Sequence, residues 1–291
     1  MNTLFQLVKR NTLLYLRDKS SVFFSFLSVI IIIVMYVLFI GRLQRNGVMS
    51  ATGDVEGLDW LISSWIMAGI LTVTTVTVPL GALGTMIADR ETKKISDFYT
   101  APIDRKILTL SYLISSWIIG FMMVLVNLFV GQLYVLSQGG EFFEFMQFVK
   151  ILGLIFVSIM SFSTFFFYIS LYMKSQNAFG LLSTLVGTFI GFLGGIYVQI
   201  GLMPKIVQSF MNMLPTAHSV VLIRRVYMDT AIEKVFGTYT GPEYVEFMND
   251  MGLNATVFDY QFSSFEMFLS LLLFGVLFYV LSVFKINKMK L

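Results

Sequence analysis

Residues 89–106 read DRETKKISDFYTAPIDRK, a charged island eighteen residues long between two uncharged runs, Leu61–Ala88 and Ile107–Gly140. A membrane helix needs about 20 predominantly apolar residues, and both flanking runs exceed that. The island is therefore a loop joining two spans at one membrane face. Outward from it, further uncharged runs lie at Ser20–Gly41, Ile151–Met173, Ser175–Pro204 and Met267–Phe284. The six runs predict an all-α integral membrane protein with six transmembrane helices. The second, third and fifth exceed one bilayer thickness at about 1.5 Å rise per residue, so they tilt, kink or project. Pro79, with Gly81 and Gly84, offers a kink in the second.

Composition agrees. The chain is 57% hydrophobic and 13% charged, about half the charge of a soluble domain, and its mean hydropathy is +0.81. A net charge of +3 is too small to argue for a nucleic-acid partner, and none is expected. The absence of cysteine excludes a disulfide framework and a Cys nucleophile. The single histidine, His218, excludes a multi-His metal site, so no metal is expected. With the N-terminus inside, 13 of the 20 Lys and Arg residues fall on inner segments and 12 of the 17 acids on outer ones. By the positive-inside rule both termini and the island are cytoplasmic.

Residues 1–19 form an amphipathic pattern, with Gln6, Lys9, Arg10 and Arg17 on one side and Leu4, Phe5, Val8, Thr12 and Leu16 on the other. Such a helix lies in the inner headgroup layer, either as a plain anchor or packed on the island as well. Within the island, Ile95, Phe98 and Tyr99 make a small apolar ridge ringed by Arg90, Glu91, Lys93, Lys94 and Asp97. Pro102 ends a helix that begins near Asp89. That helix is too short to stand alone in water, so it is held against the spans or a partner. In the fifth run, Gly187, Gly191 and Gly195 form overlapping small-xxx-small frames, which suit packing within the chain or a seam with a second copy. Residues 201–262 predict a re-entrant helical hairpin between spans five and six. Its first piece stops at Pro215, Thr216 caps the second, and Phe236–Tyr260 forms a small exposed cap.

The usual catalytic signatures are missing. There is no GxxxxGK[ST] phosphate loop, no HExxH and no GxSxG, and no ionisable side chain lies within the spans to relay protons. An intramembrane enzyme and an ion-driven carrier are both disfavoured. A transporter so built needs an external motor.

Three stretches carry a family resemblance. KRNTLLYLRDKSSVFF (Lys9–Phe24) resembles the entry helix of type-2 ATP-binding-cassette permeases, the membrane subunits of bacterial exporters. ADRETKKISDFYTAPIDRKILTLSYL (Ala88–Leu113) resembles their coupling loop, with Lys94-Ile95 in place of the usual Gly-Thr. MNMLPTAHSVVLIRRVYMD (Met211–Asp229) resembles their outer re-entrant element. The resemblance implies one permease domain over 1–291. It also implies a second permease subunit, identical or paralogous, and a cytoplasmic ATPase subunit that holds the ATP and Mg. No cofactor is expected in this chain. ATPase coupling would fall to Arg90, Glu91, Lys94, Ile95, Asp97, Phe98, Pro102 and Arg105, and entry-helix function to Arg10 and Arg17. Pro215, Arg224, Arg225 and Glu266 would form an outer gate, the arginines and Glu266 as an ion pair or as solvated interfacial charges. The path would lie between subunits, lined by the second and fifth spans. The expected cargo is hydrophobic or amphipathic: a drug, an antibiotic peptide or a lipid-like molecule crossing a bacterial plasma membrane. The alternative is a non-transporting sensor or immunity subunit on the same fold.

Overall fold

The computed structural model describes residues 3–36, 38, 45, 55–95, 98, 103–237, 239 and 241–288. The helices are α1 (Thr3–Arg17), α2 (Lys19–Met35), α3 (Leu58–Glu91), α4 (Arg105–Ser137), α5 (Phe145–Ser170) and α6 (Gln176–Leu193). They continue with α7 (Lys205–Asn212), α8 (Pro215–Tyr227), α9 (Asp229–Phe236), α10 (Pro242–Asp250) and α11 (Ser264–Lys288). Two short strands, β1 (Thr256–Val257) and β2 (Tyr260–Gln261), pair antiparallel before α11. Helices α3 to α6 and α11 are long and apolar enough to cross a membrane, and α7 with α8 qualifies as a sixth, bent by 87°. The chain is an all-α integral membrane protein. The first expected span begins as α2, 17 residues to Met35, and its end at Gly41 lies outside the described residues.

Helix α3 is the centre of the bundle. In its most apolar stretch 89% is buried, against 17% for α6 and for α11. Between Trp60 and Arg90 only Gly81 is exposed. It can be surrounded because most of its hydroxyls are satisfied within the helix: those of Ser63, Thr72, Thr74, Thr75 and Thr77 donate to carbonyls three or four residues back, while that of Ser64 is buried without a partner. The helix runs unbroken through Pro79. There α4 presents Gly120, where a Cβ would lie 2.7 Å from Pro79 Cγ, so only glycine fits. The expectation that the second span lines a path between subunits is corrected here, since α3 has no free face.

The fifth run does not form one long helix. Helix α6 stops at Gly194-Gly195, where Ile196 N–H donates to Gly191 O (2.9 Å), Gly195 N–H donates to Phe192 O (2.9 Å) and Gly195 has φ +60°. This left-handed stop is a Schellman motif. Of the three frame glycines, Gly187 has open space where a Cβ would be, Gly191 abuts the Tyr197 ring just beyond the helix, and Gly195 is the stop itself. Packing of this stripe on another helix of the same chain is not seen among the described residues.

Helix α1 is rolled relative to the sequence expectation. Its buried face is Leu7, Val8, Asn11 and Tyr15, while Phe5, Leu13 and Leu14 are exposed. Polar Asn11 turns inward because its amide donates to Ser111 Oγ of α4 (3.1 Å). Asp18 separates α1 from α2 and caps the latter, accepting from Ser20 and Ser21 N–H and from Ser21 Oγ (2.6 Å). Those bonds, the Ser21 hydroxyl first, hold its pKa below the ordinary value. An Asp18→Ala variant is expected to lose about 1 kcal/mol. The depressed pKa sets the sign: the contribution is present above the unfolded value, about 3.9, and is lost as pH falls through the folded one. Thermal melts of wild type and variant between pH 7 and pH 3 should therefore converge at the acid end.

Candidate functional site

The described part of the island begins as the last turn of α3. That helix runs to Glu91 and ends where Lys93 adopts φ +58°; Lys94, Ile95 and Phe98 are helical beyond it. The expectation of a helix starting near Asp89 is thus corrected, because Asp89, Arg90 and Glu91 belong to the span. Asp97, Tyr99 and Pro102 lie outside the described residues. Asp104 then starts α4 by accepting from Lys106 N–H (2.8 Å).

Three consecutive side chains at the end of α3 reach four other helices. Asp89, 3% exposed, accepts two bonds from the Arg10 guanidinium of α1 (2.7 and 3.1 Å) and one from Tyr112 of α4 (2.7 Å). The carboxylate's hydrogen bond raises the Arg10 pKa further, so the guanidinium stays charged. Arg10 also lies 5.0 Å from the centre of the Phe98 ring, a cation–π contact that ties α1 to the island. Arg90 donates to Ser170 O (2.9 Å) and Met173 O (3.2 Å), placing its cation at the C-terminus of α5, where the helix dipole favours it. The Glu91 carboxylate accepts from Gln176 N–H (3.4 Å) at the first turn of α6, and Gln176 donates back to Gly84 O of α3 (3.0 Å). A helix advances 100° per residue, so an Asp-Arg-Glu triplet fans around its axis. Here the fan grips α1 and α4, then α5, then α6.

Among the remaining loop residues Phe98 meets the node through Arg10. Lys94 and Arg105 are exposed, Ile95 and Phe98 half-buried. Arg17 is exposed in the last turn of α1, a position its charge suits.

At the opposite end the expected ion pair does not form. Arg224 is fully buried, donating to Gly195 O (3.0 Å) and Met251 O (3.2 Å), with its guanidinium 4.3 Å from the Trp65 ring centre. Arg225 donates to Leu253 O (2.7 Å), Ser264 Oγ (2.8 Å) and Asn254 Oδ1 (2.9 Å). Glu266 instead accepts from the Ser263 N–H (2.7 Å), the Ser263 hydroxyl and Tyr260, and its own N–H donates to Ser263 Oγ. That reciprocal arrangement is a capping box at the start of α11. Pro215 is the first residue of α8, with Leu214 at the cap position, and Thr216 is no cap, its hydroxyl being buried without a partner. The segment expected as an exposed cap also departs: Met251, Leu253 and Ala255 are buried to 1% or less. Trp65 Nε1 donates to Met251 O (2.6 Å), so this stretch seals the end of the bundle.

Asp89, Tyr112 and Asn11 were not among the residues the sequence marks for a site. Asp89 carries one signal, an acid closing an uncharged run of 28 residues one position before a basic one. Tyr112 and Asn11 carry none, since their partners are 23 and 100 residues away.

A family model described as ABC-2 type transporter matches residues 2–228, from α1 through α8, and so takes in the node, the loop and the bent helix pair. No curated protein matches the chain.

Proposed function

The chain belongs to the ABC-2 type transporter family and is a membrane permease component of an ABC transporter; on that premise we propose that it serves an ATP-driven exporter. The ATPase is a separate chain, because this one has no phosphate loop. ATP and Mg are held there, and their chemistry reaches this chain as movement. Residues 89–106 and both termini face the cytosol of a bacterial cell, as the Lys and Arg distribution argues. Arg90, Glu91, Lys94, Ile95, Phe98 and Arg105, with Asp97 and Pro102, form the coupling loop, braced by Arg10 and Arg17 of α1.

The observation that carries this reading is the fan at the end of α3. A push on the loop is delivered at one point to α1, α4, α5 and α6, so the two states that transport requires can differ by a concerted tilt. A second permease subunit, identical or paralogous, completes the path against α6, whose Leu181, Leu185 and Phe189 are exposed. Apolar walls of that kind suit a hydrophobic or amphipathic cargo.

The test is co-expression with the ATPase. The chain alone should hydrolyse no ATP, the pair should co-purify, and inverted vesicles holding both should accumulate an amphipathic dye only with ATP. Lys94→Glu, an exposed change, should leave the chain folded and weaken association about tenfold. Failure to associate would remove the docking reading. Association without uptake of any amphiphile would favour the sensor or immunity role.

A further inference from the structure

We propose that Tyr168, Tyr172 and Lys285 form a binding site for the phosphate of one phospholipid, in the leaflet on the island's side of the membrane. Phe162, Phe165, Phe274 and Phe278 interlock along the seam of α5 and α11, with ring centres 4.7–6.4 Å apart. Towards the island this ladder turns polar. Tyr168 packs on Phe278 (5.7 Å), its hydroxyl meets that of Tyr172 (2.9 Å), and the Lys285 ammonium lies 4.0 Å from the centre of the Tyr172 ring. Arg90 donates to the Ser170 and Met173 carbonyls of the same turn, which fixes the group at the island's face and covers the negative end of α5.

Depth and charge select the occupant. Helix α11 is 25 residues long, about 37 Å at about 1.5 Å per residue, against a hydrocarbon core of about 30 Å. Its last turn, which carries Lys285 and Lys288, therefore stands among lipid headgroups. In a pair of hydroxyls one O–H donates to the other oxygen, and the second O–H stays available to donate outward. Tyr172, 55% exposed, and the ammonium over its ring thus set a hydroxyl and a cation side by side, donors that suit the two charged oxygens of a phosphodiester. Lys174, Lys285 and Lys288 form no ion pair among the described residues. Asp89 and Glu91, the acids beside Arg90, are turned to Arg10 and to Gln176. Helix α6, whose exposed face is assigned to a second subunit, contributes nothing to the site. This inference needs only that the chain is embedded in a bilayer and stands apart from the exporter reading.

The test is native mass spectrometry of the full-length chain in mild detergent, titrated with palmitoyl-oleoyl phosphatidylglycerol and with the diacylglycerol of the same chains, which lacks the phosphate. Wild type should hold one phosphatidylglycerol in preference to diacylglycerol, and millimolar inorganic phosphate should not displace it. Lys285→Met, which keeps an apolar stem over the ring, should cut phosphatidylglycerol retention about tenfold and leave diacylglycerol as it was. Tyr168→Phe with Tyr172→Phe, which keeps both rings and removes both hydroxyls, should do the same. Equal phosphatidylglycerol retention by wild type and Lys285→Met overturns the proposal. Should Lys285→Met fail to fold, the double tyrosine variant decides, and unchanged retention there overturns it. Displacement by inorganic phosphate would assign the site to the free ion and overturn it as well. A lipid expelled by the ATPase subunit, or a dimer that Lys285→Met dissociates, would assign the lysines to a protein partner and overturn it too.

Discussion

Asp89→Ala is expected to destabilise the chain by about 3 kcal/mol, the lower end of the cost of removing one member of a buried ion pair. The lower end applies because Arg10 keeps 29% of its side-chain surface in solvent while Asp89 keeps 5%. Two groups lose their acceptor at once, the Arg10 guanidinium and the Tyr112 hydroxyl. The guanidinium can partly rehydrate; the phenol, on a residue 2% exposed, cannot. In thermal unfolding this corresponds to a fall in Tm of roughly 5–10 °C. The companion experiment separates stability from coupling. Arg10→Met with Asp89→Leu removes both charges together and should recover most of the stability, since an apolar replacement of a buried pair is often neutral. It should not recover ATP-driven uptake, because α1 is then no longer fastened to the end of α3 by a directional contact. An Asp89→Ala chain as stable as wild type would dissolve the node. A double variant that transports normally would remove its part in coupling.

The second large effect is expected at Arg224. Its guanidinium fills a fully buried site, bridges the stop of α6 to Met251, and lies over Trp65. Arg224→Ala leaves Gly195 O without its donor, while Met251 O keeps Trp65 Nε1, and opens a void beside the indole, so a loss of about 3–5 kcal/mol follows from the cavity and the orphaned acceptor together. Arg224→Lys is the informative partner. It keeps the charge but has neither the planar fork that spans two carbonyls nor the flat face that stacks, and should recover less than half of the loss. Thermal unfolding ranks the three proteins. Near-wild-type stability of the lysine variant would mean that charge alone matters here.

The span pattern and the island were readable from sequence because long uncharged runs are unambiguous at membrane thickness. The node was not. Asp89, Arg10 and Tyr112 meet only in three dimensions, and periodicity along α1 assigned Arg10 to the same side as Lys9, away from the bundle. What turned it inward was a carboxylate 79 residues away. The same blindness paired Arg224 with Glu266 by charge, although Ser263-x-x-Glu266 spells a local capping box. An arginine whose hydrogen bonds go to backbone carbonyls leaves no complementary residue to find. The glycines misled for a related reason: a small-residue stripe reads alike whether it receives another helix, a neighbouring aromatic ring or a reversal of the chain.

The threonine-rich middle of α3 bears on how displacement travels through the molecule. Hydroxyls that share the backbone's own carbonyls weaken and bend a helix locally, and Pro79 deletes one rung directly afterwards. The central rod is thus softened between residues 72 and 79, with Gly120 of α4 seated against Pro79. Seen this way it is a flexure resting on a fulcrum, and rotation imposed below the pivot emerges above it with altered direction.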